Sequence, residues 1–295
     1  MDTLKVIGQQ LDRNIFPLVK NGGIVTPNTS TANLSISGME QEDGERKSRR
    51  SETRERERAS RGQRQTRRPW WWQTCDPTPV ISPSIKALCE EELNSIKCAY
   101  PGTQVWLQDE GMWLLTKSAI LPECWHDALF FTGISFIYPF NIRSWGFWTG
   151  GLLRKPVWIG PRHTNFPDGS VCAFEPSDQT WSIGQPIVSL LDIYTLWALR
   201  HFHLEVFGRW PGYQAVHHPY ERGRELNPDE FCGCGLLPSK RYRECCQEKD
   251  LKRDRVADAV DFLFFTGWKP RTPPESILKF IWNQNAPPST RDLLS

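Results

Sequence analysis

Two long stretches of the chain place apolar residues at the three- to four-residue spacing that is typical of a helix. The first, SPSIKALCEEELNSIKCAYPG, can be capped by Ser82 or Ser84 and has to end at Pro101. The second runs from Pro186 to Phe207, with a proline suited to the first helical position and a glycine directly after its last residue. The pattern therefore predicts two helices separated by a long intervening segment.

Between these helices the spacing of the apolar residues becomes alternating. The stretch QVWLQDEGMWLLTK alternates on both sides of Glu110–Gly111, which is a hairpin signal. LFFTGISFIYPF and KPVWIGP supply two further candidate strands. The order helix, antiparallel meander, irregular loop, helix predicts an α+β fold in which a long loop crosses the sheet.

Two more helices are predicted after the second long helix. The segment LKRDRVADAVDFLFFTGW has helical spacing, with Val256, Val260, Leu263 and Phe264 expected to face inward. The segment PESILKFIWNQ predicts another helix after the break at Pro273–Pro274. We expect both helices to pack beside the cysteine-rich segment that precedes them.

Residues 1–69 have the composition of a segment that does not fold. They are poor in aromatic residues and rich in Thr, Ser, Gly, Asn and Arg, so they offer little apolar surface to offset chain entropy. The run Arg46–Arg68 holds eleven Lys or Arg against three Glu, a charge of +8, and because the whole chain carries +2 the remainder carries −6. We expect a disordered, solvated tail, and the alternative is loose attachment of the Arg-rich run to nucleic acid or an acidic partner.

The apolar stretches predict no membrane span. The start MDTLKVIGQQ has an acidic second residue and no uninterrupted apolar core, so it is not expected to act as a secretory signal. The longest apolar stretches are too short, or are interrupted by Asp192 and Arg200. We therefore expect a cytoplasmic protein whose nine cysteines are metal ligands, a nucleophile or buried thiols and not disulfides.

One short segment, HTNFPDGSVC at residues 163–172, has the residue types of a thioester-forming site. Cys172 supplies a thiol that can accept an acyl group, and Asn165 supplies a neutral side chain able to donate a hydrogen bond to a developing oxyanion. Gly169 gives the backbone freedom for a tight turn just before the cysteine. Because a thioester is already activated, His163 is expected to brace the loop and not to abstract a proton. A buried, inert Cys172 is the alternative.

These residues, in their order along the chain, resemble those of ubiquitin-conjugating enzymes. His163, Thr164 and Asn165 are similar to the His-Pro-Asn signature of that family, with Thr164 in place of the proline. The resemblance is closer to the bacterial relatives, which carry His, then Asp-Gly-Ser-aliphatic-Cys, a downstream Trp, a long helix and a Trp-x-Gly…His tail. The matching positions beyond His163 are Asp168, Gly169, Ser170, Val171, Cys172, Trp181, the helix ending at Phe207, Trp210, Gly212 and His217 or His218.

The resemblance implies roles for individual residues. Cys172 holds the thioester, Asn165 supports the oxyanion and His163 fixes the loop. Accessory candidates, which desolvate or deprotonate an attacking lysine unless they are merely solvated surface groups, are Asp178, His217 and His218. The implied partners are a separate activating enzyme, a ubiquitin-like modifier or the C-terminus of a cGAS-like nucleotidyltransferase as cargo, and a lysine of a protein target.

A second group of residues lies in FCGCGLLPSKRYRECCQEKD. Cys-x-Cys and Cys-Cys, joined by a ten-residue basic loop, supply four thiols that can converge on one tetrahedral Zn²⁺, and a unit this small needs such an ion to fold. The predicted ligands are Cys232, Cys234, Cys245 and Cys246. The segment resembles the SEC-C motif, a docking element at the C-terminus of the bacterial secretion ATPase. Two redox-active or merely buried cysteine pairs are the alternative.

The patterns divide the chain into four segments. They are a disordered tail at 1–69, a ubiquitin-conjugating-enzyme-like domain at 70–222, a zinc module at 223–250 and C-terminal helices at 251–295. Two functions follow. The first is a transferase that passes an activated protein C-terminus from Cys172 to a lysine, and the resemblance implies that it acts in bacterial antiphage defence. The second is a non-catalytic interaction protein of the same fold that docks through its zinc module and basic tail.

Overall fold

The computed structural model describes residues 2–25, 81–121, 124–138, 140–174, 180–237, 239–283 and 286–293, which belong to one compact unit. Along the chain the elements are α1 (Asp2–Asp12), β1 (Val19–Lys20), β2 (Gly23–Ile24), α2 (Pro83–Ala99), β3 (Gln104–Gln108), β4 (Gly111–Ser118), β5 (Asp127–Ser135), β6 (Ile142–Thr149), β7 (Val157–Trp158), α3 (Ile187–Phe207), α4 (Pro219–Glu225), α5 (Tyr242–Cys245), α6 (Gln247–Leu251), α7 (Arg255–Phe265), α8 (Glu275–Asn283) and a 3₁₀ turn at Thr290–Leu293. Among the helices of these residues, none combines the length and apolar character that a membrane span requires.

Strands β3 to β7 form one antiparallel sheet in chain order, which confirms the predicted α+β class and meander. The predicted hairpin joins β3 to β4, where Gln108 pairs with Gly111. Strand β6 was not among the predicted strands, although it pairs along its whole length with β5. Residues 144–148 are all buried, on both faces of the sheet, so the stretch SWGFW lacks the alternation of apolar and polar residues that marks a half-exposed strand.

One face of the sheet packs against α2 and α3, the two long helices that the apolar spacing predicted. The Ser82 hydroxyl accepts a hydrogen bond from the Ile85 N–H at the start of α2, and Gly208 ends α3 in a left-handed conformation. Trp197 of α3 lies against Phe130 of β5, with ring centroids 6.5 Å apart. This apolar layer therefore holds the end of the loop that carries Cys172, because α3 is the next element along the chain.

The other face of the sheet packs against α8. Phe131 of β5 stacks between Trp113 of β4 and Phe280 of α8, with ring centroids 4.3 Å from each. The Trp113 indole N–H donates to the carbonyl of Pro288 at 2.8 Å. The expectation that both C-terminal helices pack beside the cysteine-rich segment is wrong for α8, because the aromatic face of the sheet buries it instead.

Helix α7 forms as predicted, but with the opposite face inward. Val256 and Phe264 are 73% and 67% exposed, and Val260 and Leu263 also reach solvent, so the prediction that these four face inward is wrong. The buried residues are Asp258 and Phe262. Asp258 pairs with Arg253, and Phe262 joins aromatic rings of the Cys172 loop and α4, contacts that no helical spacing indicates.

The prediction of disorder is wrong for residues 2–25. Helix α1 buries Leu4, Ile7 and Leu11 in the same core as α3, and β1–β2 forms a hairpin beside it. Asp12 accepts hydrogen bonds from the guanidinium of Arg209 at 2.6 Å and the N–H of Gly212 at 2.8 Å. Composition averaged over 69 residues hid this short amphipathic helix. The rest of the predicted tail lies outside the described residues.

The docking of α1 can be tested at Gly8. A Cβ on this glycine would overlap the ring of His203 in α3, which is buried and held by a hydrogen bond between its Nδ1 and the carbonyl of Arg209 at 3.0 Å. Alanine stabilises an exposed helix relative to glycine, yet we expect Gly8→Ala to lower the free energy of unfolding by about 1–3 kcal/mol through overpacking. Gln9→Ala, on the exposed side of α1, is the control for urea unfolding. Equal midpoints for both variants would contradict the docked position.

Candidate functional site

The segment that carries Cys172 is a short hairpin. Thr164 pairs with Val171, and the N–H of Asn165 donates to the carbonyl of Ser170 at 2.7 Å. The N–H of Cys172 donates to the carbonyl of His163 at 3.1 Å. The backbone therefore places Cys172 directly opposite His163, and the Cys172 residue is half-buried.

The sheet holds this hairpin through a backbone hydrogen bond, two indoles and the ion pair of Arg143 in β6 with Asp168. The N–H of Val171 donates to the carbonyl of Ser144 in β6 at 2.7 Å. The indole N–H groups of Trp145 and Trp158 donate to the carbonyls at the tip of the hairpin, Asp168 at 2.8 Å and Gly169 at 3.1 Å. The turn preceding Cys172 is therefore fixed to the edge of the sheet.

Gly169 is required at the tip of the hairpin for two reasons. Its φ of 63° lies in the left-handed region, which other residues rarely adopt. A Cβ there would lie 2.9 Å from the carbonyl carbon of Thr272 and from the ring of Trp158. The backbone freedom of glycine, which the sequence suggested, allows the turn, and the missing Cβ allows the segment before α8 to approach the hairpin closely.

The side chain of Asn165 contacts the peptide that precedes Cys172. Its Nδ2 donates to the carbonyl of Val171 at 3.0 Å and to the hydroxyl of Ser170 at 3.2 Å. Both amide hydrogens therefore have acceptors inside the hairpin, and in this conformation Asn165 fixes the backbone next to the thiol. Asn165 can donate to an oxyanion only if one of these two hydrogen bonds breaks.

His163 is enclosed by groups from the end of α3 and the segment after it. Its ring lies 3.9 Å from the ring of Trp210, and its Nε2 lies 3.0 Å from Oε1 of Gln214. Its carbonyl, besides accepting from Cys172, accepts from the indole N–H of Trp197 at 2.8 Å. These contacts hold the His163 backbone at a φ of 51°, a conformation uncommon for residues other than glycine.

His163 is neutral at physiological pH. Burial of the ring, together with the positive charge of Arg162, holds its pKa well below the usual value of a histidine. Gln214 donates through Nε2 to the carbonyl of Phe231, so its Oε1 faces His163, and the network assigns the single ring proton to Nε2 of His163. The residue is therefore a weak base in this environment.

Arg271 is a further tie on the hairpin that sequence reasoning missed. Its guanidinium lies 3.9 Å above the ring of Phe166 and donates to the carbonyl of Pro161 at 3.0 Å. It also pairs with Glu221 of α4. An arginine in the stretch PRTPP between two helices carries no local signal of this role, because all of its partners are distant along the chain.

The accessory candidates lie in different places. His218 caps α4 by accepting from the N–H of Tyr220 at 3.2 Å, and its Nε2 lies 3.3 Å from Asp261 of α7. His217 is exposed, and its carbonyl accepts from Arg222 at 2.6 Å. Asp178 lies outside the described residues. His218 is therefore tied to the junction of α4 and α7.

The four predicted metal ligands converge. The sulfur atoms of Cys232, Cys234, Cys245 and Cys246 all lie within 4.8 Å of one another, so this cluster can hold a metal ion. The Sγ atoms of Cys234 and Cys245 are 3.6 Å apart, and those of Cys245 and Cys246 are 3.7 Å apart. Four sulfurs placed tetrahedrally about 2.3 Å from one ion have edges of about 3.8 Å, which these separations match.

Backbone contacts shape the cysteine cluster before any ion binds. The N–H of Cys232 donates to the carbonyl of Lys240 at 3.0 Å, and α5 presents Cys245 on its last turn. Burial opposes ionisation of Cys234, but N–H groups of Leu236 and Leu237 outweigh it and lower its pKa to about 7. Burial and the neighbouring Cys234 raise the pKa of Cys245 to about 11. A cation among the four sulfurs would relieve this mutual repulsion.

Comparison of the chain with known protein families, curated proteins and solved structures found no match. The resemblance to ubiquitin-conjugating enzymes and to the SEC-C motif therefore stays a hypothesis.

Acid should destabilise the region behind the hairpin through His201 of α3. Burial and the charge of Arg162 lower its pKa to about 3, whereas an unfolded histidine titrates near about 6.5. The contribution of neutral, buried His201 to the free energy of unfolding is therefore complete above about pH 6.5. It is lost as the pH falls toward 3, by up to about 1.4 kcal/mol per pH unit. Urea unfolding at several pH values should show a shallower loss in His201→Gln than in the parent. Parallel curves would contradict this assignment.

Proposed function

We propose that the protein is a cysteine acyltransferase similar to ubiquitin-conjugating enzymes, with Cys172 as the thioester carrier. The observation that carries this proposal is the hairpin, which sets the thiol opposite His163 with the amide of Asn165 against the adjoining peptide. The order helix, antiparallel meander, cysteine hairpin, long helix supports it as well. A cysteine whose side chain only filled space in the core would not need so many hydrogen bonds to the backbone around it.

Two transfers make up the proposed reaction. The Cys172 thiolate attacks the carbonyl carbon of a thioester carried by an activating enzyme, the new carbon–sulfur bond forms, and the enzyme's thiolate leaves. A lysine amine then attacks the same carbon, an amide forms, and the Cys172 thiolate leaves while the amine loses its proton to solvent or a nearby base. Asn165 stabilises the oxyanion in each step after one of its hairpin bonds opens.

Thr164, where the family signature has proline, is compatible with this role. Its hydroxyl donates to the carbonyl of Pro161, and its backbone pairs with Val171. Together with Arg271, these contacts restrain the hairpin. A proline at position 164 would restrain it in another way, through its fixed φ. The cargo, a ubiquitin-like modifier or the tail of a cGAS-like nucleotidyltransferase, and the setting in bacterial antiphage defence follow from the resemblance.

We propose Zn²⁺ as the ion of the cysteine cluster, with a structural role. Four thiolates with no remaining position for water are the ligand set of structural zinc, and soft sulfur ligands select against Mg²⁺ and Ca²⁺. The bonds between Cys232 and Lys240 and within α5 support a closed site of this kind.

The metal content gives a direct test. Purified protein should carry about one zinc per chain, with sulfur–metal distances of roughly 2.3 Å by X-ray absorption. Cys232→Ser should lose the ion and lower the melting temperature, whereas Cys98→Ser, an exposed thiol of α2, should change neither. Binding should also weaken on acidification, because each thiol must lose its proton. A protein that folds normally and contains no metal would refute the assignment.

The alternative, a non-catalytic interaction protein, is favoured by one observation. The outward side of α7 exposes Val256, Val260 and Phe264, and Trp268 just beyond it is 62% exposed. Isolated apolar residues are ordinary on a surface, but a continuous helical row of this kind is typical of a docking surface. In this hypothesis Cys172 has a structural role.

Adduct formation distinguishes the two functions. With a cognate activating enzyme and modifier, the protein should form an adduct that survives a non-reducing gel and is cleaved by thiol reductant, because thioesters exchange with thiols. Cys172→Ala should abolish it and Cys172→Ser should give a reductant-resistant oxyester, while Cys98→Ala retains the adduct. Asn165→Ala should load comparatively well but discharge to lysine about 10²-fold more slowly.

Each contrary outcome of that assay is informative. An undiminished adduct in Cys172→Ala would move the chemistry to another cysteine. No adduct with a verified pair of partners would leave the interaction protein as the better hypothesis.

A further inference from the structure

The side chain of Gln214 joins the Cys172 hairpin to the cysteine cluster. Its Oε1 accepts from Nε2 of His163 at 3.0 Å and from Nη2 of Arg162 at 2.8 Å. Its Nε2 donates to the carbonyl of Phe231 at 2.7 Å and to the carboxylate of Glu230 at 3.2 Å. One amide therefore contacts two residues at the start of the hairpin and the two residues that precede Cys232.

Glu230 makes this junction rigid. Its side chain is fully buried, and its carboxylate pairs with the guanidinium of Arg162 and accepts from the N–H of Trp210 at 2.7 Å. Separating two buried groups of opposite charge would leave each charge without its partner in a nonpolar environment, at a large cost in free energy. Glu230 and Arg162 are therefore expected to move together.

The far side of the junction is part of the cysteine cluster. The carbonyl of Glu230 accepts from the N–H of Tyr242, the first residue of α5, at 2.7 Å. Phe231 is bonded to Cys232 and pairs with Arg241. A bound ion joins Cys232 to Cys245 and Cys246 and so fixes Glu230 and Phe231 against α5, whereas without the ion no bond joins these sulfur atoms.

The near side of the junction reaches the backbone of Cys172 in one more contact. The carbonyl of His163 accepts the N–H of Cys172, and the ring of the same residue is the partner of Gln214. The cluster and the thiol are thus connected by four consecutive links: Cys232 to Phe231, Phe231 to Gln214, Gln214 to His163, and His163 to Cys172.

We propose that Gln214 is a positioning residue through which metal in the cysteine cluster sets the accessibility of Cys172. With the ion bound, Gln214 holds His163 and the hairpin closed around the half-buried thiol. Without it, the acceptors of Gln214 move, and the hairpin opens. The importance of this link for acyl transfer rests on the proposed function, but the link itself is measurable without any partner enzyme.

Alkylation of the folded protein tests the link. The rate of iodoacetamide labelling at each cysteine is followed by peptide mass spectrometry, before and after removal of metal by a chelator. We expect Cys172 to label roughly 3–10-fold faster after removal, because local opening sets its exposure. Cys98, exposed on α2, is the internal reference and should not change. An unchanged Cys172 rate in protein shown to have lost its metal would overturn the proposal.

Two substitutions test the role of Gln214 itself. In Gln214→Ala the metal-bound protein should already label Cys172 at close to the metal-free rate, so the ratio of the two rates should fall toward one. Gln185→Ala, the same change at an exposed glutamine that bonds only within its own turn, should keep the parental ratio. A parental ratio in folded Gln214→Ala would exclude this residue as the link. If Gln214→Ala does not fold, the two rates of the parent still decide whether metal controls the thiol.

The outcome is independent of the acyltransferase assay. A metal-dependent labelling rate with no thioester adduct would leave the link standing and reject the proposed function. If a thioester adduct forms, and neither its yield nor the labelling rate of Cys172 depends on metal, the proposed function would stand and the link would be rejected.

Discussion

The buried carboxylate of Glu230 is the group on which the arrangement of the site depends. It has no exposed surface and accepts from three donors in two parts of the chain: Arg162 before the hairpin, and Trp210 and Gln214 in the segment after α3. Removing one partner of a buried ion pair costs about 3–5 kcal/mol, since the other charge is left in a nonpolar environment. The cysteine cluster is therefore not independent of the hairpin and the end of α3, although the sequence predicted a domain boundary between residues 222 and 223.

The packing around Trp210 explains why the histidines near Cys172 are not bases. His163 and His201 contact this indole from two sides, and Arg162 and Arg200 lie about one ring diameter away, at 5.9 and 6.0 Å from its centroid. Burial of both rings, reinforced by the positive charge of Arg162, lowers the pKa of His163 and of His201, so both imidazoles stay neutral. The proposed transfer is compatible with this environment, because it starts from an already activated thioester and needs no strong base.

The parts of the structure that the sequence predicted are those whose signals are local. Helices α2 and α3 carry their own caps and spacing, the β3–β4 hairpin carries alternation on both sides of Glu110–Gly111, and the four cysteines carry the spacing of a metal site. The wrong predictions concern features that are determined by contacts between residues distant in sequence, such as the buried face of α7. Phe262 faces inward on α7 only because Phe166, His218 and Tyr220 meet it there.

The same reasoning accounts for the residues of the site that were missed. Gln214, Glu230 and Arg271 are ordinary polar residues in irregular segments, and their partners are 50 to 110 positions away or on the far side of a turn. A motif can indicate the thiol and the residues of its own hairpin, because these are close in sequence. It cannot indicate groups that reach the hairpin from other parts of the fold.

The exposed side of α7 and the Cys172 hairpin are neighbouring surfaces. Phe262 is the inward residue of α7, and its ring lies 5.4 Å from that of Phe166 in the hairpin. A helix is about 10 Å across, so a protein that covered the outward row of Val256, Val260 and Phe264 would lie within about one helix diameter of the hairpin. The transferase and docking hypotheses therefore do not compete for the same surface. A partner bound on the outward row of α7 would therefore lie beside the Cys172 hairpin without covering it.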